Sequence, residues 1–241
     1  MNSKLDSAIG FLIGDMFGAP FEAKSKYEAM SGFGKRIGSY TDDTLMYLSV
    51  LKSFKKNISL RETLIEFYDP DRGYGNRMDD MLSKKRCEPS DSWGNGAATR
   101  TAALALFDSS TIDDVEKYCR VTHTHPESTK ASIAVYISIK QALQKNKDLS
   151  KAWKVIGQKK KLESYSMGLA ALESIPPAMI VFENGNSFDE ILRDSISLGG
   201  DTDSIGAVAG ALAGAYYGVP DSYQKYLKNE TKIIELIKKY I

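Results

Sequence analysis

Hydrophobic positions recur with helical spacing through most of the chain. Leu5, Ile9, Leu12, Ile13, Met16 and Phe17 fall on one stripe of a 3.6-residue period, so the chain opens with an amphipathic helix that Gly18-Ala19-Pro20 ends. The same spacing predicts helices over 44–54, 99–107, 113–119, 129–143, 165–175 and 188–195. Alternating apolar and polar runs bounded by turns are scarce, so no sheet is expected. The fold class that follows is all-α. No linker divides the sequence, and residues 1–241 are expected to form one domain.

Three stretches modify this picture. Residues 205–219, IGAVAGALAGAYYGV, are uncharged but fall short of the roughly 20 residues a membrane span needs, and Asp203 and Asp221 bracket them. Gly206, Gly210, Gly214 and Gly218 put a smooth stripe on one face. The expectation is a buried central helix that a neighbour approaches closely. Residues 144–161 hold seven lysines and the single acid Asp148, which reads as a solvated connection. From Tyr223 a lysine-rich amphipathic helix is expected, with Tyr226, Ile233, Ile234 and Ile237 on its apolar side.

Composition narrows the function classes. Among 241 residues, 42% are hydrophobic and 26% charged, the balance of a soluble globular protein able to bury a large core. The net charge of +1 gives no argument for nucleic acid or a membrane surface. Cys87 and Cys119 form no C-x-x-C pair, which argues against a zinc ribbon or disulfide framework. The N-terminus makes a poor signal peptide. A reduced, cytoplasmic location is the expectation.

Two acidic runs carry the candidate chemistry. Thr41-Asp42-Asp43-Thr44 precedes an apolar run, and Asp201-Thr202-Asp203-Ser204 heads the glycine-striped helix. Either run alone is explained by helix capping, because Thr, Asp and Ser are favoured N-caps and carboxylates suit a helix N-terminus. Yet a cap needs one side chain, and each run stacks several oxygen donors. Four carboxylates near a core repel each other unless protonated or neutralised by cations, and hard dications such as Mg²⁺ take oxygen donors. The metal reading therefore requires that Asp42 and Asp201, 159 positions apart, meet in space. Glu22 follows a tight Gly18-Ala19-Pro20 turn; taken alone it reads as a surface glutamate. His123 and His125 are the only histidines, too few for a zinc site by themselves.

Six motifs in order resemble the ADP-ribosylglycohydrolase (DraG-like) family: GDMFGAPFE from Gly14, TDDT from Thr41, DRGYG from Asp71, SWGNGAATR from Ser92, THTHPES from Thr122, and LGGDTDSIGAVAGALAGAYYG from Leu198. The resemblance implies an orthogonal multi-helix bundle with a central two-metal cleft holding Mg²⁺ or Mn²⁺. Thr41, Asp42, Asp43, Asp201, Asp203 and Ser204 would be metal ligands. Glu22 would sit on a mobile loop, coordinating a metal or acting on the catalytic water. Glu22, Asp42 and Asp203 would be the catalytic carboxylates. Substrate would lie against Gly73, Tyr74, Gly75, Ser92, Trp93, Gly94, Asn95, Gly96 and His123. Glycines there let backbone N–H groups approach phosphates, and Tyr74 or Trp93 offers a ring to adenine or the ribose pocket.

The implied reaction is hydrolysis of the C1″ glycosidic bond between ADP-ribose and an acceptor, through an oxocarbenium-like state that carboxylates stabilise. The partner would be an ADP-ribosylated protein or a small-molecule ADP-ribose conjugate, and the chain a monomer. A non-catalytic ADP-ribose binder and a hydrolase of free ADP-ribose derivatives stay open as alternatives. Departures from the family pattern are Ser204 where Thr is frequent, Thr99 where Met is common and Ala103 where Pro is common; the last two touch packing near the phosphate loop.

Overall fold

The computed structural model describes residues 2–157 and 159–241. The helices are α1 (Ser3–Gly18), α2 (Lys26–Gly32), α3 (Asp42–Lys56), α4 (Leu60–Glu66), α5 (Asn76–Ser83), α6 (Gly96–Thr101) and α7 (Ile112–Arg120). They continue as α8 (Pro126–Leu143), α9 (Ser150–Ile156), α10 (Ala171–Asn184), α11 (Phe188–Ile196), α12 (Thr202–Tyr217) and α13 (Thr231–Tyr240). The described residues contain no strand, only isolated bridges between loops. The fold is all-α. No helix among the described residues is long and apolar enough to cross a membrane.

α12 is the axis of the core: Thr202 to Ala215 are all buried, and α1, α8, α10 and α11 pack around it. Its glycine stripe meets a matching stripe on α1. A Cβ on Gly14 would lie 1.9 Å from the carbonyl oxygen of Gly206, one on Gly10 2.1 Å from that of Gly210, and one on Gly18 2.2 Å from that of Thr202. The two backbones are in direct contact, so any side chain at these positions must push the helices apart. Gly218 is not part of this seam; it ends α12 with φ +81°.

Four expected elements differ. The helix expected over 99–107 is α-helical only to Thr101 and tightens to a 3₁₀ segment over Ala102–Leu106. The helix expected over 165–175 instead runs Ala171–Asn184, with Pro176 and Pro177 inside it. Those prolines suggest a stop, because each removes a backbone hydrogen bond. The buried face from Ser174 to Phe182 nonetheless carries the helix through. Residues 165–170 stay irregular because their backbone groups bind other loops: Asp201 N–H donates to Met167 O (2.8 Å) and Asn95 N–H to Leu169 O (3.0 Å). The lysine-rich connection contains α9, whose Ala152 and Trp153 are buried; Gln158 lies outside the described residues. The C-terminal segment is split into a 3₁₀ turn at Asp221–Tyr226 and then α13, with Ile233 and Ile237 buried, Ile234 and Tyr226 only partly. Tyr223 anchors that turn by its ring against Phe17 and Phe188 and its hydroxyl on Asp189 Oδ1 (2.8 Å).

The seam gives a direct stability test. Gly14→Ala or Gly210→Ala should each cost about 3 kcal/mol or more, at or beyond the usual overpacking range, because the clash is with backbone. Urea unfolding of the two variants against the parent measures it.

Candidate active site

A cleft of about 310 Å³ opens where several helix N-termini converge. Its wall takes Asp42 and Asp43 from α3, Asn76 and Arg77 from α5, Asn95 and Gly96 at the start of α6, and Asp201, Asp203 and Ser204 from α12. Exposed Glu22 and buried His123 complete the lining. Helix N-termini carry unpaired N–H groups and partial positive charge, so this arrangement suits anions. The two acidic runs do meet: Ser204 Oγ donates to Asp43 Oδ2 at 2.7 Å. One carboxylate oxygen each from Glu22, Asp201 and Asp203 lie within 4.8 Å of one another.

Capping does not account for these acids. Thr41 is the N-cap of α3, its Oγ1 accepting from Asp43 N–H (3.3 Å). Asp201, at the N-cap of α12, makes no side-chain cap bond; its Oδ2 accepts from the Asn95 amide instead, and that amide also donates to Ser174 Oγ (2.9 Å). Asp43 accepts from two hydroxyls, Ser204 Oγ and Thr99 Oγ1 (2.8 Å). Thr99 thus does more than pack beside the loop: it fixes a cleft carboxylate.

No Lys or Arg forms an ion pair with Glu22, Asp42, Asp43, Asp201 or Asp203 among the described residues. Burial first, and then mutual repulsion, pushes the acids up. Asp201 is raised to about 7 by burial and by Asp43. Asp42 and Asp203 stand well above the ordinary carboxylate range, Asp42 through burial and Asp43, Asp203 through burial and Asp201. Asp43 is raised by burial against the lowering pull of its two hydroxyl donors. Glu22, exposed at the rim, is raised by partial burial and by the Asp43 charge. A crowded set of oxygen donors with unfavourable self-energy fits hard divalent cations, which would discharge it.

The other arm of the cleft has different chemistry. Gly73 (φ +84°) and Gly75 face open space where a Cβ would project. Ser128 Oγ donates to the carbonyls of Ser92 (2.9 Å) and Gly94 (3.1 Å), pinning the loop that carries Gly94 and Asn95. Arg77 is the one cationic side chain on the wall among the described residues, braced on the carbonyls of Glu88 (2.9 Å) and Thr122 (3.3 Å). His123 is buried, its Nδ1 2.7 Å from Thr122 Oγ1. That oxygen accepts from the fully buried Arg100 (2.7 Å), so its own proton is available to Nδ1. A neutral ring whose Nδ1 accepts this proton carries its own on Nε2, the nitrogen beside Gly94 of the wall. His125 serves elsewhere, as the N-cap of α8.

Three sequence candidates do not line the cleft. Thr41 is turned to Asp15, donating to its Oδ1 at 2.7 Å. Tyr74 is buried with its ring tilted against Tyr68, 5.1 Å between centroids, because the apolar underside of this loop needs cover. Trp93 is 54% exposed outside the wall. Conversely, Met46, Asn76, Arg77, Met78 and Leu169 line it without having been singled out. Asn76 and Arg77 directly follow the glycine-rich Gly73-Tyr74-Gly75, and that adjacency was the available signal. Leu169 had none, since it arrives through the 165–170 backbone pairing.

The ADP-ribosylglycohydrolase family model matches residues 4–241. The chain belongs to this family. It is 29% identical to the ADP-ribosylhydrolase ARH3 of Bos taurus over 90% of this chain and 86% of that protein. It is 30% identical to the human ADP-ribosylhydrolase ARH3 over 77% and 74%. It is 26% identical to the ADP-ribosyl-[dinitrogen reductase] glycohydrolase of Rhodospirillum rubrum over 90% and 86%. A solved structure titled "ADP-ribosylglycohydrolase-related protein complex" superposes with a TM-score of 0.75 at 22% identity, covering 98% of this chain and 95% of that one. The chain is an enzyme, a hydrolase of glycosidic bonds.

Burial, with Arg100 and Arg77 nearby, depresses His123 to about 3. Its folded pKa lies below the unfolded value of about 6.5, so its contribution to stability is full above that value and falls as pH drops toward 3. The difference in unfolding free energy between the protein and His123→Gln should therefore shrink steadily from pH 7 to pH 4. The His123 ring resonances should stay unmoved in NMR between pH 8 and pH 5.

Proposed function

We propose that the protein hydrolyses the C1″ glycosidic bond of ADP-ribose attached to an acceptor, with two divalent cations, Mg²⁺ or Mn²⁺, held by the acidic end of the cleft. The observation that carries this reading is the convergence of five carboxylates from three separate segments, with no ion-paired Lys or Arg among the described residues, in a cleft whose lining also holds Gly73, Gly75, Gly94, Gly96 and Arg77. Asp42, Asp43, Asp201 and Asp203, with the hydroxyl of Ser204, would hold the cations. Bound there, dications would discharge the carboxylates, orient ribose hydroxyls and acidify a water.

The chain's own residues divide the remaining work. Arg77, with the backbone N–H groups around Gly73, Gly75, Gly94 and Gly96, binds the diphosphate, as the helix N-termini favour. His123, neutral and presenting Nε2–H, donates a hydrogen bond to the substrate. The Trp93 ring lies at the loop edge, where it can cover an adenine. As the glycosidic bond lengthens, positive charge on the ribose is stabilised by Asp42 and Asp203. Glu22, at the rim and with a raised pKa, takes the proton from the attacking water as the C1″–O bond forms and the C1″–acceptor bond breaks, and returns it to the departing acceptor. Asn95 holds Asp201 in place throughout.

The acceptor is found by following release of free ADP-ribose from arginine-linked, serine-linked and O-acetyl-ADP-ribose substrates, each with Mg²⁺, Mn²⁺ or chelator. Metal-dependent release from one substrate is expected. Binding of ADP-ribose without release across the panel would instead favour a binding module. Asp201→Ala and Asp203→Ala should each abolish turnover, and full activity in both would overturn the mechanism. In calorimetry, a cation at about a hundred times its Kd should stabilise the fold by about 2.7 kcal/mol.

A further inference from the structure

Asp15 is a fully buried carboxylate on α1 that lines no part of the cleft. It accepts from both the backbone N–H (2.9 Å) and the hydroxyl (2.7 Å) of Thr41, and from the N–H (3.3 Å) and hydroxyl (2.5 Å) of Thr44. Its four donors all belong to the first turn of α3, and two are main-chain N–H groups at the start of that helix. An external carboxylate thus does what a capping side chain does in most helices. Asp42 and Asp43 sit between the two threonines. Since Asp15 and Thr41 satisfy the helix start, both aspartates are free to turn into the cleft.

Asp15 is also held in fixed register with α12. Its neighbour Gly14 lies in backbone contact with Gly206, and Gly18, three residues on, with Thr202. Thr202 Oγ1 donates to Gly18 O at 2.8 Å. The stretch of α1 around Asp15 therefore touches both acidic runs, one through four hydrogen bonds and the other through the glycine seam.

We propose that Asp15 is a positioning residue of the metal site: it anchors the first turn of α3 to the α1–α12 pair, setting Asp42 and Asp43 against Asp201 and Asp203 at the spacing a pair of divalent cations requires. This rests on the metal-site reading above. By consuming the Thr41 proton, Asp15 also leaves the Thr41 oxygen as an acceptor only. Carboxylates placed one shell behind metal ligands carry effects of about 10–100-fold in metal affinity.

The test is direct Mn²⁺ binding to the full chain, by electron paramagnetic resonance and by calorimetry, at a temperature well below unfolding. Asp15→Asn keeps the size but turns an amide N–H₂ toward donors. It should weaken Mn²⁺ binding by about 10-fold or more. Unchanged Mn²⁺ affinity in a folded Asp15→Asn protein, with only its melting temperature lowered, overturns the proposal and leaves Asp15 a structural group. Should that variant fail to fold, Thr44→Val removes one of the four bonds without touching a cleft residue. Thr44→Val should weaken Mn²⁺ several-fold, with Thr44→Ser restoring it; equal affinity in all three proteins overturns the proposal. If the parent protein binds no Mn²⁺, it is the metal-site reading that falls.

Discussion

Backbone contact between α1 and α12 is the constraint on which the rest of the structure depends. Gly10, Gly14 and Gly18 face Gly210, Gly206 and Thr202 at distances that leave no room for a methyl group. Two helices so close share one rigid frame, since sliding either would drive a Cα into a carbonyl. α12 delivers Asp201, Asp203 and Ser204 at its N-terminus, and α1 ends at the turn that presents Glu22. The seam therefore fixes where half of the acidic cleft lies before any polar contact forms.

Against that frame, the cleft concentrates unfavourable electrostatics. Burial raises all five carboxylates that meet there, and like charge adds to it on every one but Asp43. The surrounding polar groups offset the cost only in part: Asn95 on Asp201, and Thr99 with Ser204 on Asp43. None of these donors carries a full charge, so they orient the acids without neutralising them. Around His123 the balance is reversed. Arg100 and Arg77 lie near a histidine that burial keeps neutral, and Arg77 is the one cationic side chain on the wall among the described residues. A ligand with an anionic middle and a polar, cation-seeking end matches both halves.

Much of this was legible in the sequence because it is local. The 3.6-residue stripe of Leu5 to Phe17, the Asp-Thr-Asp-Ser run ahead of a glycine-striped helix and the Gly-rich pairs around Tyr74 and Asn95 each announce themselves within a dozen residues. The helix that spacing predicts over 165–175 is absent over 165–170 for the converse reason. Its residues have helical spacing, but the N–H and C=O groups of Met167, Leu169 and Ala171 found partners on Asp201, Asn95 and Trp93, far away in the chain. Trp153, in a lysine-rich stretch that reads as solvated, is likewise held by tertiary partners: its helix α9 packs on α8 and its Nε1 donates to Glu183 Oε2 of α10 (3.1 Å).

By itself, then, the sequence determined the helical fold class, the close-packed glycine helix and the identity of the acids, since periodicity and residue type are properties of short segments. Only the tertiary structure decided that Tyr74 turns into the core and Arg77 into the cleft, that Thr99 binds Asp43, and that Asp15 rather than Asp42 or Asp43 caps α3 from outside. Those choices depend on which groups lie opposite across the fold, and a hydrogen bond between residues 26 or 56 positions apart leaves no mark on the spacing of either.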